Sequence, residues 1–282
     1  MLMIPGLQGL VDKVPELATP RGFLRALLTA VGVCLVALVV LLVAEGWAPW
    51  IGLVAQLLLY VALFWLVRSF FTGRAARLTY TDAFFGRFMP AAGLNGASLL
   101  YIWLNGGGVT DPDALTRLFP TIVGGVIAVY FFLTAVVVFV RAMQVAGVDT
   151  LAGLYIYYPD EGRMYDDGIY RVVRHPVYAS IDRVALGLAF VNGSTYALLL
   201  AVIFVGVWHP IWIAVEEREL VHRMGERYAS SMRRVPAIWP QGFSGEAKLW
   251  QVLTGRDVMS GLPVDVDDEG GRPPSDLPPA GA

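Results

Sequence analysis

Charged residues are scarce in this chain of 282 residues, and so is cysteine. Only 16% of the residues are charged and 56% are hydrophobic, whereas about 25% charged residues is typical of soluble proteins. The single cysteine, Cys34, has no partner within the chain, which excludes an intrachain disulfide. With a mean hydropathy of +0.60, the composition predicts a membrane protein rather than a soluble one.

Several functional patterns are also missing. No basic stripe with interleaved aromatic residues is present, so we expect no nucleic-acid binding. No G-x-G-x-x-G follows a strand pattern, which argues against a Rossmann-type nucleotide-binding domain. The N-terminus has no basic region before a short apolar core, so we expect no cleavable signal peptide. We expect no metal site either.

Long apolar runs dominate what is present. A helix needs about 20 apolar residues to cross a bilayer, and the sequence contains six candidate segments. The fifth is short and contains Asp182 and Arg183, so a re-entrant fifth segment is an alternative. The predicted fold is an all-α, multi-pass transmembrane helix bundle with five or six spans. The candidate segments are 22–46, 49–71, 84–104, 119–140, 178–191 and 195–215.

Positive charges lie almost entirely on one side of these segments. Lysine and arginine cluster before the first segment and after the second, fourth and sixth, whereas the opposite side has only Arg117. Because positive loops stay in the cytoplasm, we expect both termini and the loop 141–176 there. The sequence thus predicts an integral membrane protein whose polar loops share the cytoplasmic face.

We divide the chain into four regions. Residues 1–21 form an N-terminal cytoplasmic segment, 22–140 a four-helix membrane region, 141–240 a core that contains a helical hairpin, and 241–282 a C-terminal tail. From about residue 261 the tail is acidic and rich in proline and glycine, so it is predicted to be disordered.

The stretch DDGIYRVVRHPVYAS, Asp166 to Ser180, places basic and aromatic residues directly before the fifth segment. Pro176 suits the first turn of a helix, so the fifth helix is predicted to begin there. A helix N-terminus has unpaired amides and a positive dipole end, and Arg174 and His175 crowd the same place. The pattern favours a site for an acidic ligand, although residues of these types at a membrane boundary also act as topology anchors.

A second polar pattern lies where the sixth segment ends. If the helix continues, four residues share one face, with another carboxylate beside it. Because such a stripe inside a bundle is costly, we expect it to be used or paired. Two alternatives require no function: the carboxylates lie in water outside the bilayer, and the proline after His209 only kinks the helix. The face consists of His209, Trp212, Glu216 and Leu220, and the neighbouring carboxylate is Glu217.

Together the two patterns resemble the superfamily of isoprenylcysteine carboxyl methyltransferases and phospholipid methyltransferases. The family pattern is Arg-His-Pro-x-Tyr-x-Gly, an apolar hairpin, Glu-Glu, and a Gly-x-x-Tyr segment that ends near Val-Pro. The resemblance covers roughly Asp166 to Pro240. The matching positions are Arg174, His175, Pro176, Tyr178, Glu216, Glu217, Gly225, Tyr228, Val235 and Pro236.

The resemblance implies a membrane-embedded methyltransferase that uses S-adenosylmethionine and acts on a lipidic or hydrophobic acceptor. Residues 141–240 would then form the methyltransferase-like core, with the cofactor site on the cytoplasmic side. Arg183 and His209 are candidate catalytic residues on the acceptor side. The cofactor-binding residues that the resemblance implies are Arg174, His175, Pro176, Tyr178, Glu216 and Glu217.

Departures from the family pattern bear on the acceptor. Ser180 replaces the usual glycine, and Ser231 replaces a second aromatic residue. Isoprenylcysteine carboxyl methyltransferases have an arginine in the turn before Glu216 that holds the substrate carboxylate, whereas this chain has Ile211 and Trp212. The sequence therefore disfavours carboxyl methylation and leaves an amine, thiol, hydroxyl or carbon acceptor open.

Two other functions fit parts of the sequence. Membrane sterol reductases that use NADPH carry a similar Arg-His-Pro-Asn-Tyr segment, but Val177 stands in place of the asparagine and Ile181 in place of an acidic residue. A transporter or scaffold is the second alternative, since polar groups in spans also mark transport paths. Methyl transfer is the main hypothesis.

Overall fold

The structure is a computed structural model that describes residues 5–71, 78–104, 121–153, 157–158 and 163–254. All regular elements in these ranges are helical. Two 3-10 turns, Pro15–Ala18 and Gly168–Arg171, and two π-helical turns, Phe84–Phe88 and Phe204–Trp208, accompany the α-helices. These are α1 (Leu7–Lys13), α2 (Pro20–Trp47), α3 (Pro49–Phe71), α4 (Tyr80–Ala83), α5 (Met89–Leu104), α6 (Thr121–Leu151), α7 (Pro176–Asn192), α8 (Thr195–Ile203), α9 (His209–Met224), α10 (Glu226–Arg234) and α11 (Gly242–Leu253).

Four helical stretches among the described residues are long and apolar enough to cross a membrane. They are Pro20–Trp47, Pro49–Arg68, Ile122–Leu151 and Thr195–Met224. The predicted third and fifth spans lie on α5 and α7, which have 16 and 17 residues. The all-helical, multi-pass membrane fold is therefore confirmed, and the choice between five and six spans stays a prediction.

The helix ends follow from local sequence. Helix α7 begins at Pro176, as predicted, and ends before Gly193, whose φ of 76° places it in the left-handed region. The side chain of Ser194 then caps α8 by accepting a hydrogen bond from Ala197 N at 3.0 Å. This tight connection makes α7 and α8 the predicted helical hairpin.

Helix α6 is longer than the sequence predicted. The expected end was near Val140, but the helix runs on to Leu151, with a bend at Gly147 where φ is 79°. Ala142 and Ala146 are buried beyond the predicted end, so apolar packing continues past the stretch of high hydropathy. Thr150 and Leu151, which follow the bend, line the cavity described below.

Two π-helical turns share a sequence pattern. The first occurs in FFGRFMP, residues 84–90, and the second in FVGVWHP, residues 204–210. Each turn is followed by a proline that cannot donate the usual backbone hydrogen bond. The wider π-helical turn changes the direction of the side chains that follow it, and such turns are frequent at functional sites.

The helices pack closely where small residues meet. A Cβ atom added to Gly93 on α5 would collide with the backbone oxygen of Ala30 on α2, so only glycine permits this approach. At the other end of the chain, α11 packs through Leu249 against a cluster that contains Val138 and Ile169. Residues beyond 254, including the tail predicted to be disordered, lie outside the described residues.

Candidate functional site

A cavity of about 420 Å³ lies at one end of the helix bundle. Its lining comes from the end of α3, the start of α5, the last turn of α6, the start of α7 and the length of α9. The segment 163–165 before the 3-10 turn adds polar side chains. The two sequence patterns, which are far apart in the chain, therefore face one space.

Arg174 joins the two patterns. Its Nε and Nη2 atoms donate to Glu217 Oε1 at 2.8 and 2.6 Å, and its Nη1 atom donates to the carbonyl oxygens of Met232, at 3.0 Å, and Val235. The backbone N–H of Arg174 donates to Pro236 O at 2.9 Å. The arginine thus fixes the segment after α10 against the start of α7.

His175 and Glu217 complete this arrangement. His175 Nε2 lies 3.0 Å from Glu217 Oε1, the same oxygen that accepts from Arg174. The backbone N–H of His175 donates to Ala237 O at 2.9 Å. His175 lines the cavity, whereas Glu217 lies behind it and is not part of the lining. Glu217 therefore orients two side chains of the cavity wall.

The predicted stripe on α9 is present and faces the cavity. Tyr178 OH donates to Glu216 Oε2 at 2.6 Å, and Trp212 Nε1 donates to Tyr178 OH at 2.7 Å. Leu220 and Pro176 also line the cavity. The hydrogen bonds hold a carboxylate at the cavity wall with its second oxygen 4.0 Å from His175 Nδ1.

Tyrosines add further polar groups to the lining. Thr150 Oγ1 and Tyr165 OH form a hydrogen bond of 2.8 Å between the end of α6 and the following segment. Burial, together with the nearby carboxylates of Glu217 and Glu216, raises the pKa of the Tyr228 phenol above its usual value. This phenol stays neutral and can donate a hydrogen bond.

The two candidate catalytic residues have different positions. His209 is buried, lines the cavity, and bonds through Nδ1 to Asp182 Oδ1. Arg183 is outside the cavity lining: its Nη1 donates to Ala179 O at 2.8 Å, and its guanidinium lies 4.4 Å from the ring centre of Trp239. The roles of both residues stay predictions.

Sequence reasoning missed part of the lining. The apolar part comes mainly from α3 and from the start of α5, which showed no recognisable motif. Arg163, which lies in the loop 141–176 that the charge distribution assigned to the cytoplasm, also lines the cavity. An acidic residue in an apolar helix is a signal of function. The sequence drew attention to Asp182 for this reason but did not reveal that His209 is its partner. The missed apolar residues include Leu63, Val67, Phe88, Ala91, Ala92 and Trp208.

Residues 123–227 match the family model for phospholipid methyltransferases. The matched range contains most of α6, the segment that leads to α7, and the whole of α7, α8 and α9. No curated protein and no solved structure gives a significant match. The match to residues 123–227 thus confirms the resemblance to the superfamily of isoprenylcysteine carboxyl methyltransferases and phospholipid methyltransferases over the part of the chain that includes the positions from Arg174 to Gly225.

Proposed function

We propose that this protein is an S-adenosylmethionine-dependent methyltransferase that methylates a lipidic acceptor within the membrane. The observation that carries the proposal is the two-part lining of the cavity. Motif residues of α7 and α9 supply its polar part, and α3 and α5 supply its apolar part. A polar, charged cofactor and an apolar acceptor can therefore meet in one space.

The polar residues fit the charged groups of the cofactor. Glu216 presents a carboxylate for the ammonium group, with Tyr178 holding its position. Arg163 lines the same cavity and can pair with the cofactor carboxylate. Arg174 also lines the cavity, and its bonds to Glu217, Met232 and Val235 fix the guanidinium in the cavity wall.

The chemistry requires little beyond positioning. When bound, the cofactor supplies an electrophilic methyl group for direct displacement by a nucleophile. The residues of the chain hold the two reactants in line and exclude water, which is the main source of acceleration for such a transfer. The hydrogen bonds among Tyr178, Trp212 and Glu216 keep the polar wall rigid for this purpose.

The location of the cavity supports a cytosolic cofactor. The cavity lies at the end of the bundle where arginine-rich segments follow α3, precede α7 and follow α9. The positive-inside rule assigns this end to the cytoplasm. We propose that both termini share this face and that the acceptor reaches the cavity from the bilayer past the apolar residues of α3 and α5.

Cofactor binding is tested by titrating the purified protein in detergent with S-adenosylmethionine and, separately, with NADPH. We expect calorimetry to show binding of S-adenosylmethionine. Binding of NADPH alone would replace the proposal with the reductase hypothesis, and binding of neither would favour a transporter or scaffold.

The role of Glu216 is tested by Glu216→Gln in the same titration. We expect the affinity for S-adenosylmethionine to fall about 10-fold or more, because a hydrogen bond to a charged group contributes about 1.5–3 kcal/mol. Glu226→Gln is the matched control, since Glu226 is exposed and pairs with Arg233 outside the cavity lining. Full affinity in Glu216→Gln would remove this residue from the cofactor site.

A further inference from the structure

A buried acid and a buried histidine meet between α7 and α9. Asp182 is 0% exposed and His209 is 3% exposed. The Asp182 carboxylate bonds to His209 Nδ1, and its second oxygen has no hydrogen-bond partner in the part of the chain that the structure describes. Ionisable groups inside a membrane bundle are costly, so such a pair indicates a function.

The pair leaves one ring nitrogen of His209, Nε2, outside the bond to Asp182. Since Nδ1 is bound to Asp182, the neutral imidazole that donates from Nδ1 has its lone pair on Nε2. His209 lines the cavity together with Trp208 and Tyr178. The rings of Tyr178 and Phe204 lie 5.4 and 4.6 Å from the imidazole, measured between centroids, and fix its orientation. The geometry is that of a general base oriented by a carboxylate.

His209 also lies at the boundary between the two parts of the cavity. It is one residue from Trp208, which stacks on Tyr60 of α3, and two turns along α9 from Glu216. Along the chain, Trp208 of the apolar lining precedes it, and Trp212 and Glu216 of the polar lining follow it. A proton-accepting nitrogen at this position is next to the place where the two reactants meet.

We propose that His209 is the general base that removes a proton from the methyl acceptor, and that Asp182 is its positioning residue. This inference rests on the proposed methyl transfer. It restricts the acceptor to lipids whose reacting nitrogen, oxygen or sulfur carries a proton. A carboxylate or a carbon acceptor does not fit, since a carboxylate has no proton to lose and a carbon acceptor offers none on a heteroatom.

The reaction moves a methyl group to the acceptor and a proton to His209. The acceptor heteroatom forms a bond to the methyl carbon, the bond between that carbon and the sulfonium sulfur breaks, and its electron pair stays on the sulfur as a neutral thioether. The heteroatom proton moves to His209 Nε2, and the imidazolium is stabilised by the Asp182 carboxylate. The proton then passes to water when the products leave, which restores the neutral imidazole.

The alternative is that the pair only joins two helices, as interhelical hydrogen bonds in membranes do at about 0.6 kcal/mol on average. Asp182→Asn separates the two roles because it preserves size and a hydrogen-bonding group while it removes the charge. His209→Gln is the second variant. Tyr196→Phe is the control, since it removes interhelical hydrogen bonds outside the cavity lining, to Pro49 O at 2.9 Å and to Tyr101 OH at 3.0 Å.

The experiment uses the full chain in lipid nanodiscs with S-adenosylmethionine labelled in its methyl group. The acceptor probes are hexadecylamine, hexadecanol, hexadecanethiol and hexadecanoate. Binding of S-adenosylmethionine, thermal unfolding, and kcat and KM for each probe are measured for every variant. Failure of the wild-type protein to bind S-adenosylmethionine would count against the proposed function itself.

We expect wild-type transfer to at least one of the amine, hydroxyl and thiol probes. In His209→Gln, kcat falls about 100-fold, within the range that a general base contributes, and in Asp182→Asn it falls about 10-fold or more. Both variants keep the wild-type KM and cofactor affinity, and each stays folded at the assay temperature even where its unfolding temperature falls. Unchanged kcat in Asp182→Asn, transfer to hexadecanoate alone, or cofactor binding without transfer to any of the three proton-bearing probes would overturn the inference.

Discussion

The motif-bearing region from residue 166 to 240 and the membrane helices α2, α3 and α5 are held together in different ways. In the first, Arg174, His175 and Glu217 form hydrogen bonds across about 40 residues of chain. In the second, small residues such as Gly93 allow close apolar contact, beside a buried hydrogen bond from Gln56 on α3 to Ser98 on α5. Directed hydrogen bonds require particular residue types, whereas apolar packing accepts many. This difference explains why only the first region has a recognisable pattern.

The largest expected effect in this comparison is loss of Arg174, whose ion pair with Glu217 is part-buried. Arg174→Met leaves Glu217 without its cation, and because breaking a fully buried ion pair costs about 3–5 kcal/mol, we expect a loss of about 3 kcal/mol here. Arg171→Met is the control, because the Arg171 pair with Asp167 is exposed and such pairs contribute about 0–1 kcal/mol. Chemical unfolding in detergent, monitored by tryptophan fluorescence, measures the free energy of unfolding of both variants.

The double variant Arg174→Met/Glu217→Gln sharpens this result. If the single variant suffers from an uncompensated charge, removing the carboxylate as well restores part of the lost stability. Equal losses in Arg174→Met and Arg171→Met would show that the motif-bearing region does not depend on the ion pair of Arg174 with Glu217.

A smaller effect is expected from the contact between α2 and α5. Gly93→Ala places a Cβ atom against Ala30 O, and overpacking of this kind costs about 1–3 kcal/mol. The same substitution at Gly32 on α2 meets nothing within 4 Å, so it serves as the control. Equal unfolding free energies in the two variants would contradict close packing of these helices.

The smallest effect concerns the apolar part of the cavity. Ala91→Leu narrows it, and a change of this size alters acceptor recognition about 10-fold. We expect KM for the lipid acceptor to rise while the affinity for S-adenosylmethionine stays the same. Ala62→Leu on the exposed face of α3 is the control. A loss of cofactor affinity in Ala91→Leu would show that the two parts of the cavity do not act separately.

Much of the fold was predictable from the sequence. Apolar runs located the helices, Pro176 marked the start of α7, and the short NGS connection predicted the hairpin of α7 and α8. The end of α6 was not predictable from hydropathy, because Ala142 and Ala146 continue its packing with small side chains. The π-helical turns were also missed, although a glycine and a proline four residues apart accompany both.

The candidate site was predictable where it depends on spacing within one helix. The face of α9 that bears His209, Trp212 and Glu216 follows from helical periodicity alone. The partnership of Asp182 with His209 depends on how α7 and α9 cross, which no local pattern encodes. Leu63 and Ala91 line the cavity for the same reason, because the packing of α3 and α5 places them there and no local pattern encodes it.

The sequence by itself determined that this chain forms apolar helices with two polar motifs, because hydropathy and spacing are properties of the chain. Only the tertiary structure decided which polar groups face the cavity and which lie behind it. Glu216 lines the space while its neighbour Glu217 orients Arg174, and His209 lines it while Arg183 packs against Trp239. Successive residues on a helix point about 100° apart, so the packing of the neighbouring helices assigns each side chain its role.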